Sequence, residues 1–277
     1  MNGKWINSVR AIQFYAKPLA LDLGLLRGHS NYQRFIILGR GRTGSNFLRG
    51  LLNAHSQIVS FGELFRFYDD IGWEFPEHER YLKSRRLLLL SQRSPCRFLE
   101  RNVFRKFPDH ILAVGFKIFY YHAQEDTRKP VWTYLRNQKG LKIIHIKRKN
   151  TLRMLLSNEK AFKTNRWTNT AGVKEGKISV YLDYKYCLET FKREDIAKQQ
   201  YDSYFAGKQM IEVIYEDLCN NYQGELKRIQ EVLGVDYEDV KPSTYKQAGQ
   251  PLSAEIANYF ILKEKFINTP WERFFED

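Results

Sequence analysis

Short runs of apolar residues recur along the chain at 34–38, 57–60, 111–119, 141–147 and 210–215. Each run is close to continuous and does not alternate with polar residues. Continuous apolar runs of this length are typical of strands that are buried on both faces, as in a parallel sheet. The pattern therefore predicts five strands of one parallel sheet.

Segments with helical spacing of apolar residues lie between and after these runs, at 43–54, 151–162, 184–206 and 223–233. In the first of them, Phe47, Leu48, Leu51 and Leu52 fall on one helical face. The stretch 66–105 is rich in charge and aromatic residues and predicts further helices and part of a lid. Strands that alternate with helices predict an α/β fold, a parallel β-sheet flanked by helices.

The chain of 277 residues has the length of one large domain. No repeat of fixed period, low-complexity tract or Pro/Gly-rich linker divides it. We expect an N-terminal arm or helix over 1–33 and one domain over 34–277. From residue 241 the tail has an irregular pattern, and its aromatic end at 271–275 is expected to anchor it.

The charge balance predicts an anionic partner, since 45 Lys and Arg residues against 31 Asp and Glu leave a net charge of +14. Nucleic acid, an anionic membrane surface and a polyanionic nucleotide all fit that charge. The three cysteines are far apart and form no CxxC pair, so neither a disulfide framework nor a zinc site is predicted. The first 28 residues resemble neither a signal peptide nor a membrane-spanning helix, so a cytoplasmic location is expected.

The segment Gly39-Arg-Gly-Arg-Thr-Gly-Ser-Asn46 follows the first predicted strand and precedes a helix. Free backbone N–H groups and the helix dipole favour an anion at such a position. The G-x-x-x-x-G spacing is that of a P-loop, but Ser45 and Asn46 stand where a P-loop has Lys and Ser/Thr. Arg42 can instead offer a bidentate donor to phosphate or sulfate oxygens. The alternative is a glycine-rich turn with surface arginines.

The stretch GRGRTGSNFLRGLLNAHSQIVSFGELF resembles the 5′-phosphosulfate-binding loop and following helix of PAPS-dependent sulfotransferases. The likeness is greatest to bacterial and carbohydrate-type members. It implies a P-loop-like nucleotide-binding fold and a loop that binds PAPS through Arg40, Gly41, Arg42, Thr43, Gly44, Ser45 and Asn46.

A second segment, HIKRKNTLRMLLS, is similar to the 3′-phosphate-binding segment of the same family. The resemblance implies that Arg148, at a strand end, and Ser157, on the next helix, bind the 3′-phosphate. The alternative is a basic, solvated helix start. A third segment, VIYEDL, resembles a structural element of the family, in which Asp217 can cap the coming helix.

Transfer to a hydroxyl group requires a general base within hydrogen-bond reach. In the carbohydrate-type enzymes that the chain resembles, a glutamate just after the second strand has this role, and Glu63 stands there. His122, just past the third predicted strand, is the rival base, although we expect it to be a surface or acceptor-site residue. The resemblance further implies a carbohydrate or glycolipid-like acceptor and no requirement for a metal.

Two other functions remain open at this stage. A nucleotide kinase or NTPase would use the same loop, but this chain lacks the loop lysine and a clear magnesium-binding aspartate. A nucleic-acid-binding protein would explain the charge, but the chain contains no recognised DNA- or RNA-binding signature. We therefore expect a sulfotransferase that takes PAPS as donor and binds no nucleic acid.

Overall fold

The computed structural model describes residues 20–21, 23–74, 84–167, 178–242 and 250–276. Within these ranges five strands form one all-parallel sheet in the order β2-β3-β1-β4-β5. The strands are β1 (Gln33–Gly39), β2 (Ile58–Glu63), β3 (Ala113–Phe119), β4 (Lys142–Lys147) and β5 (Gln209–Ile214). The predicted α/β fold with a parallel sheet is confirmed.

The described helices flank the sheet, and those at 45–54, 151–164, 184–204 and 222–233 lie close to the predicted positions. They are α1 (Ser45–Ala54), α2 (Arg85–Arg93), α3 (Pro95–Phe98), α4 (Pro130–Asn137), α5 (Thr151–Thr164), α6 (Tyr184–Tyr204), α7 (Tyr215–Asn220), α8 (Tyr222–Leu233), α9 (Leu252–Glu255) and α10 (Tyr259–Phe266). A π-helical turn (Leu99–Val103) continues α3, and a 3-10 turn (Glu272–Phe275) follows α10.

Both faces of the sheet are buried, because side chains alternate between two apolar cores. On β1, Phe35 and Ile37 face the core under α1 and α8, while Ile36 and Leu38 face the core under α3 and α4. All seven residues of β3 are buried. The continuous apolar pattern of these strands follows from this two-sided burial.

A third apolar core joins α5 and the start of α6 to the C-terminal tail. Phe274 and Phe275 are buried there, beside Phe266 of α10. The tail is therefore helical over much of its described length, which its sequence pattern did not predict. Residues 1–19, 22 and 243–249, within the predicted arm and tail, lie outside the described residues.

One predicted cap is wrong. Asn221, whose side chain accepts a hydrogen bond from the backbone N–H of Gly224, caps α8. Asp217 lies inside α7 and forms an ion pair of 3.0 Å with Lys149. The YEDL segment folds as a separate short helix, so its aspartate is one turn too early to cap α8.

No helix in the described ranges has the length and apolar character that crossing a bilayer requires.

Gly115 of β3 allows close contact between β3 and the central strand β1. A Cβ atom at this position would lie 2.3 Å from the carbonyl oxygen of Phe35 and 2.6 Å from its ring. We expect Gly115→Ala to lower the free energy of unfolding by about 2 kcal/mol, because neither β1 nor β3 can move without repacking a buried core. Urea denaturation measures the change.

The control is Thr133→Ala, at an exposed position of α4. It should change stability by less than about 0.5 kcal/mol. Equal stabilities of Gly115→Ala and the unmodified protein would contradict the described packing of β1 against β3.

Candidate functional site

The loop from Arg40 to Gly44 joins β1 to the N-terminus of α1. Arg42 and Gly44 have left-handed backbone conformations, with φ of 68° and 83°. A Cβ atom at Gly44 would lie 2.2 Å from the ring of Tyr215, so only glycine fits between α1 and β5's C-terminal end. Because Gly44 is also the N-cap residue, no N-cap side chain forms a capping hydrogen bond to the first turn of α1.

The first turn of α1 has the properties of an anion site. Among the described residues, the backbone N–H groups of Ser45 and Asn46 have no acceptor. Unpaired amides at a helix N-terminus attract phosphate or sulfate, and the helix dipole adds to that attraction. The Thr43 hydroxyl instead donates to the Arg40 carbonyl oxygen at 2.6 Å and so braces the turn. The residues present therefore fit the phosphosulfate group of PAPS.

Arg42 connects this loop to α5. Its Nε and Nη2 atoms donate to Ser157 Oγ at 3.0 and 2.8 Å, and its Nη1 atom donates to the Trp167 carbonyl oxygen at 2.5 Å. Arg148 Nη1 in turn donates to the Arg42 carbonyl oxygen at 3.0 Å. The structure thus brings the two predicted phosphate-binding segments into direct contact, although they are more than a hundred residues apart.

Arg148 lies in a mostly buried position at the end of β4. Its guanidinium stacks over the Tyr215 ring at 4.6 Å, and its Nε atom is 3.9 Å from Glu216 Oε1. Burial lowers the pKa of Arg148. A guanidinium nevertheless keeps its charge at neutral pH, so Arg148 presents a fixed cation beside the loop.

Arg40 is held differently from Arg42. Its guanidinium pairs with Glu194 of α6, a carboxylate that is 1% exposed, and lies 5.9 Å from the centre of the Tyr121 ring. Burial is also the main reason that the pKa of Arg40 is lowered. The Arg40 side chain therefore anchors the loop to α6 in this structure.

A second group of polar residues lies at the ends of β2 and β3. Lys117 is completely buried, and its Nζ atom lies 3.2 Å from Glu63 Oε1 and 2.8 Å from Glu74 Oε2. It also donates to the side-chain oxygen of Asn46, in the first turn of α1. This one ammonium links the anion site to the Glu63 carboxylate.

The chain bends sharply after β2 to form this group. A bulge lies between Phe61 and Glu63, so that Glu63 pairs with Lys117. A Cβ atom at Gly62 would lie 2.4 Å from the Glu74 side chain, and one at Gly72 would lie 2.4 Å from the Glu63 carbonyl oxygen. Glycine at both positions allows the returning segment to lie against β2.

His122 is 1% exposed, so of the two expectations for it the surface position is wrong, while a place in the acceptor site stays a prediction. Its Nδ1 atom accepts a hydrogen bond from the Phe119 backbone N–H at 3.1 Å, which leaves the proton on Nε2. Nε2 points towards Glu63 Oε2 at 3.7 Å and has no hydrogen-bond partner among the described residues. Burial, helped by the nearby Lys117 ammonium, lowers the pKa of His122 to about 3. The imidazole is therefore neutral at pH 7.

Sequence reasoning missed Glu74, which also pairs with Arg49 of α1 at 3.2 Å. The glycines at 62 and 72 were the available signal, because they mark a close approach of two backbone segments. Nothing in the local sequence reveals which distant carboxylate such an approach brings in.

No family model matches the chain. It is 31% identical over 251 residues to nodulation protein H of Rhizobium meliloti (strain 1021), which covers 88% of this chain and 95% of that protein. Nodulation protein H of Rhizobium tropici is 29% identical over 244 residues, covering 87% of this chain and 92% of that protein.

Two solved structures are distantly similar. A sulfotransferase from Alicyclobacillus acidocaldarius has a TM-score of 0.48 and 14% identity, covering 84% of this chain and 88% of that one. The sulfotransferase domain of the Synechococcus PCC 7002 olefin synthase has a TM-score of 0.41 and 19% identity, with 84% of each chain covered.

The buried imidazole of His122 predicts a pH dependence of stability. Because its pKa is about 3 in the folded protein and about 6.5 in an unfolded chain, the unfolded state binds the proton first as the pH falls. This contribution to stability is therefore complete above pH 6.5 and is lost progressively below it. Between about pH 7 and pH 5 we expect a loss of about 2 kcal/mol from His122 alone.

The test compares urea unfolding of the unmodified protein and His122→Asn at both pH values. The Asn side-chain oxygen can still accept from the Phe119 N–H group, and the variant should lack the contribution of His122 to the pH dependence. His110→Asn, at an exposed position, is the control and should keep it. If His122→Asn and the unmodified protein respond identically to pH, His122 is not a buried neutral imidazole.

Proposed function

The chain belongs to the sulfotransferase family that includes nodulation protein H, and from that premise we propose that it transfers a sulfuryl group from PAPS to a hydroxyl group of a carbohydrate or glycolipid-like acceptor. The observation that carries the proposal is the position of Arg42. It lies in a glycine turn at a helix N-terminus, bonded to Ser157 and supported through its carbonyl oxygen by Arg148.

In this proposal the two ends of the donor bind different parts of that cluster. The amides of the first turn of α1 and the Arg42 guanidinium bind the 5′-phosphosulfate group. Arg148 and Ser157 bind the 3′-phosphate of the ribose. The direct hydrogen bonds between Arg42 and Ser157 support one continuous site for both anionic groups.

The transfer itself breaks one bond and forms one. The acceptor hydroxyl oxygen attacks the sulfur atom while the bond from sulfur to the 5′-phosphate oxygen breaks, in line with the attack. The leaving phosphate oxygen takes the electron pair, and Arg42 with the loop amides stabilises its negative charge. The hydroxyl proton passes to the general base, so the products are a sulfate ester and adenosine 3′,5′-bisphosphate.

Glu63 is the base in this scheme. Lys117 holds its Oε1 atom at 3.2 Å, while Oε2 faces Arg66 Nε and His122 Nε2, each at 3.7 Å and so beyond a good hydrogen bond. Oε2 therefore has the geometry to accept a proton. His122 is disfavoured as a base, because its Nδ1 lone pair is already used and its Nε2 atom carries the proton. It is suited to donate a hydrogen bond to the acceptor oxygen or to Glu63.

The donor site is tested with adenosine 3′,5′-bisphosphate. We expect it to raise the melting temperature of the protein, because a ligand that binds only the folded state stabilises it. Arg42→Ala should abolish most of that rise, whereas Arg228→Ala should keep it. Arg228 is exposed on α8 and pairs with Glu225 within the same helix. If the bisphosphate raised the melting temperature of Arg42→Ala as much as that of the unmodified protein, Arg42 would not be a donor-binding residue.

The base is tested with Glu63→Gln, which keeps the shape of the side chain. Transfer from labelled PAPS to acceptors in a cell extract, followed by product mass analysis, should fall by about 10²- to 10⁴-fold. Binding of adenosine 3′,5′-bisphosphate should persist. His122→Asn should lose less activity than Glu63→Gln. Full activity in Glu63→Gln with loss of activity in His122→Asn would reverse the assignment.

A further inference from the structure

Tyr121 lies two residues past the end of β3 and lines a cleft of about 360 Å³ beside the anion-binding loop. The proposed reaction gives its hydroxyl group no role so far. That hydroxyl lies close to the loop, since a Cβ atom at Gly41 would be 3.0 Å from Tyr121 Oη. The centre of the Tyr121 ring is 5.9 Å from the Arg40 guanidinium. The side chain therefore lies against both residues at the start of the loop.

The turn that carries Tyr121 is fixed by its neighbour Tyr120. The Tyr120 backbone N–H donates to the Gly39 carbonyl oxygen at 3.1 Å, which bonds the turn to the start of the loop. The Tyr120 hydroxyl donates to His145 Nε2 at 2.6 Å. His145 Nδ1 donates to Asp202 Oδ1 at 2.8 Å, because a carboxylate can only accept. Hydrogen bonds to β1, β4 and α6 thus set the position of the turn.

The same turn contains a strained backbone position. Ala123 has φ of 53°, a left-handed conformation that is unfavourable for residues other than glycine. Just before it, the His122 N–H donates to the Phe119 carbonyl oxygen at 2.9 Å and closes the turn. Strain of this kind persists only where the surrounding structure fixes it, and it is concentrated at functional sites.

The Tyr121 hydroxyl is close to the proposed base as well as to the loop. Burial of the hydroxyl end and, after it, the Glu63 carboxylate raise the pKa of Tyr121 to about 12, although about half of the side chain is exposed. The Tyr121 ring also lies edge-on to His122, with ring centres 4.9 Å apart, and His122 faces Glu63. At neutral pH the phenol keeps its proton, so it can donate a hydrogen bond and cannot act as a base.

In-line transfer requires the sulfur atom to lie between the loop and Glu63. The loop binds the phosphate side of the donor, and the acceptor oxygen approaches from the side of the base. The proposed 3′-phosphate site is farther away, because Arg148 follows β4, across β1 from β3. A hydroxyl close to both Gly41 and Glu63 therefore lies beside the sulfuryl oxygens.

We propose that the Tyr121 hydroxyl donates a hydrogen bond to a sulfuryl oxygen of the bound donor. Hydrogen bonds to charged oxygens are stronger than those between neutral groups, and a donor that is already fixed in place needs no reorganisation during the transfer. Tyr121 is then a further residue that contacts the group being transferred. This inference rests on the proposed function, since it requires a donor that carries a sulfuryl group.

The test compares two ligands, of which only one carries the sulfuryl group. PAPS and adenosine 3′,5′-bisphosphate are titrated separately into the unmodified protein and into Tyr121→Phe, without an acceptor, and binding is followed by calorimetry. Tyr121→Phe keeps the ring and removes only the hydroxyl group. It should raise the Kd for PAPS about tenfold, the effect of losing one hydrogen bond to a charged group, and should leave the Kd for the bisphosphate unchanged.

Tyr181→Phe is the matched control. Tyr181 is 68% exposed and does not belong to the described residues that line the cleft. The control should leave both Kd values unchanged. Both variants should keep the melting temperature of the unmodified protein, since neither loses a buried group.

Equal affinity of Tyr121→Phe and the unmodified protein for PAPS would overturn the inference and leave the proposed function standing. A parallel loss of affinity for both ligands would show that the hydroxyl acts on the nucleotide or on the loop, and would equally overturn the inference. If the unmodified protein bound neither ligand, the proposed donor would be wrong, and the inference would be wrong with it.

Discussion

The buried ammonium of Lys117 is the interaction on which the site depends. An isolated ammonium in a protein interior costs several kcal/mol unless opposite charges and hydrogen bonds surround it. Here Glu63, Glu74 and Asn46 surround it, and they come from the end of β2, the returning segment and the first turn of α1. The proposed base and the anion-binding helix therefore occupy fixed relative positions, because both are bonded to the same buried cation.

The order of strands places carboxylates on one side of the loop after β1 and a buried cation on the other. With β1 in the middle of the sheet, its loop has the carboxylates of the β2 side on one flank and the cation of Arg148 on the other. Arg42 extends from this central loop to α5, where it meets Ser157 and the Trp167 carbonyl oxygen. In the proposed function, this single loop contacts the nucleotide on one side while the acceptor approaches Glu63 from the other.

Much of the fold was predictable from local pattern. Two-sided burial leaves continuous apolar runs, so all five strands were found within about two residues at most boundaries. The loop was recognisable because a glycine turn between a buried strand and a helix has few structural explanations. The surface alternative for His122 was wrong because its burial depends on the turn after β3, which folds its ring back onto the Phe119 amide. The helical tail was missed since its short segments are stabilised by the third core more than by their own pattern.

The sequence by itself determined the parallel sheet, the glycine-rich loop between β1 and α1 and the identity of the charged side chains near it, because these features depend on residue type and short spacing. Only the tertiary structure decided which of those groups meet. Glu74 reaches Lys117 because two glycines let backbone segments approach closely, and Arg42 reaches Ser157 because β4 lies beside β1. Contacts between distant segments follow from packing geometry, and no local pattern encodes them.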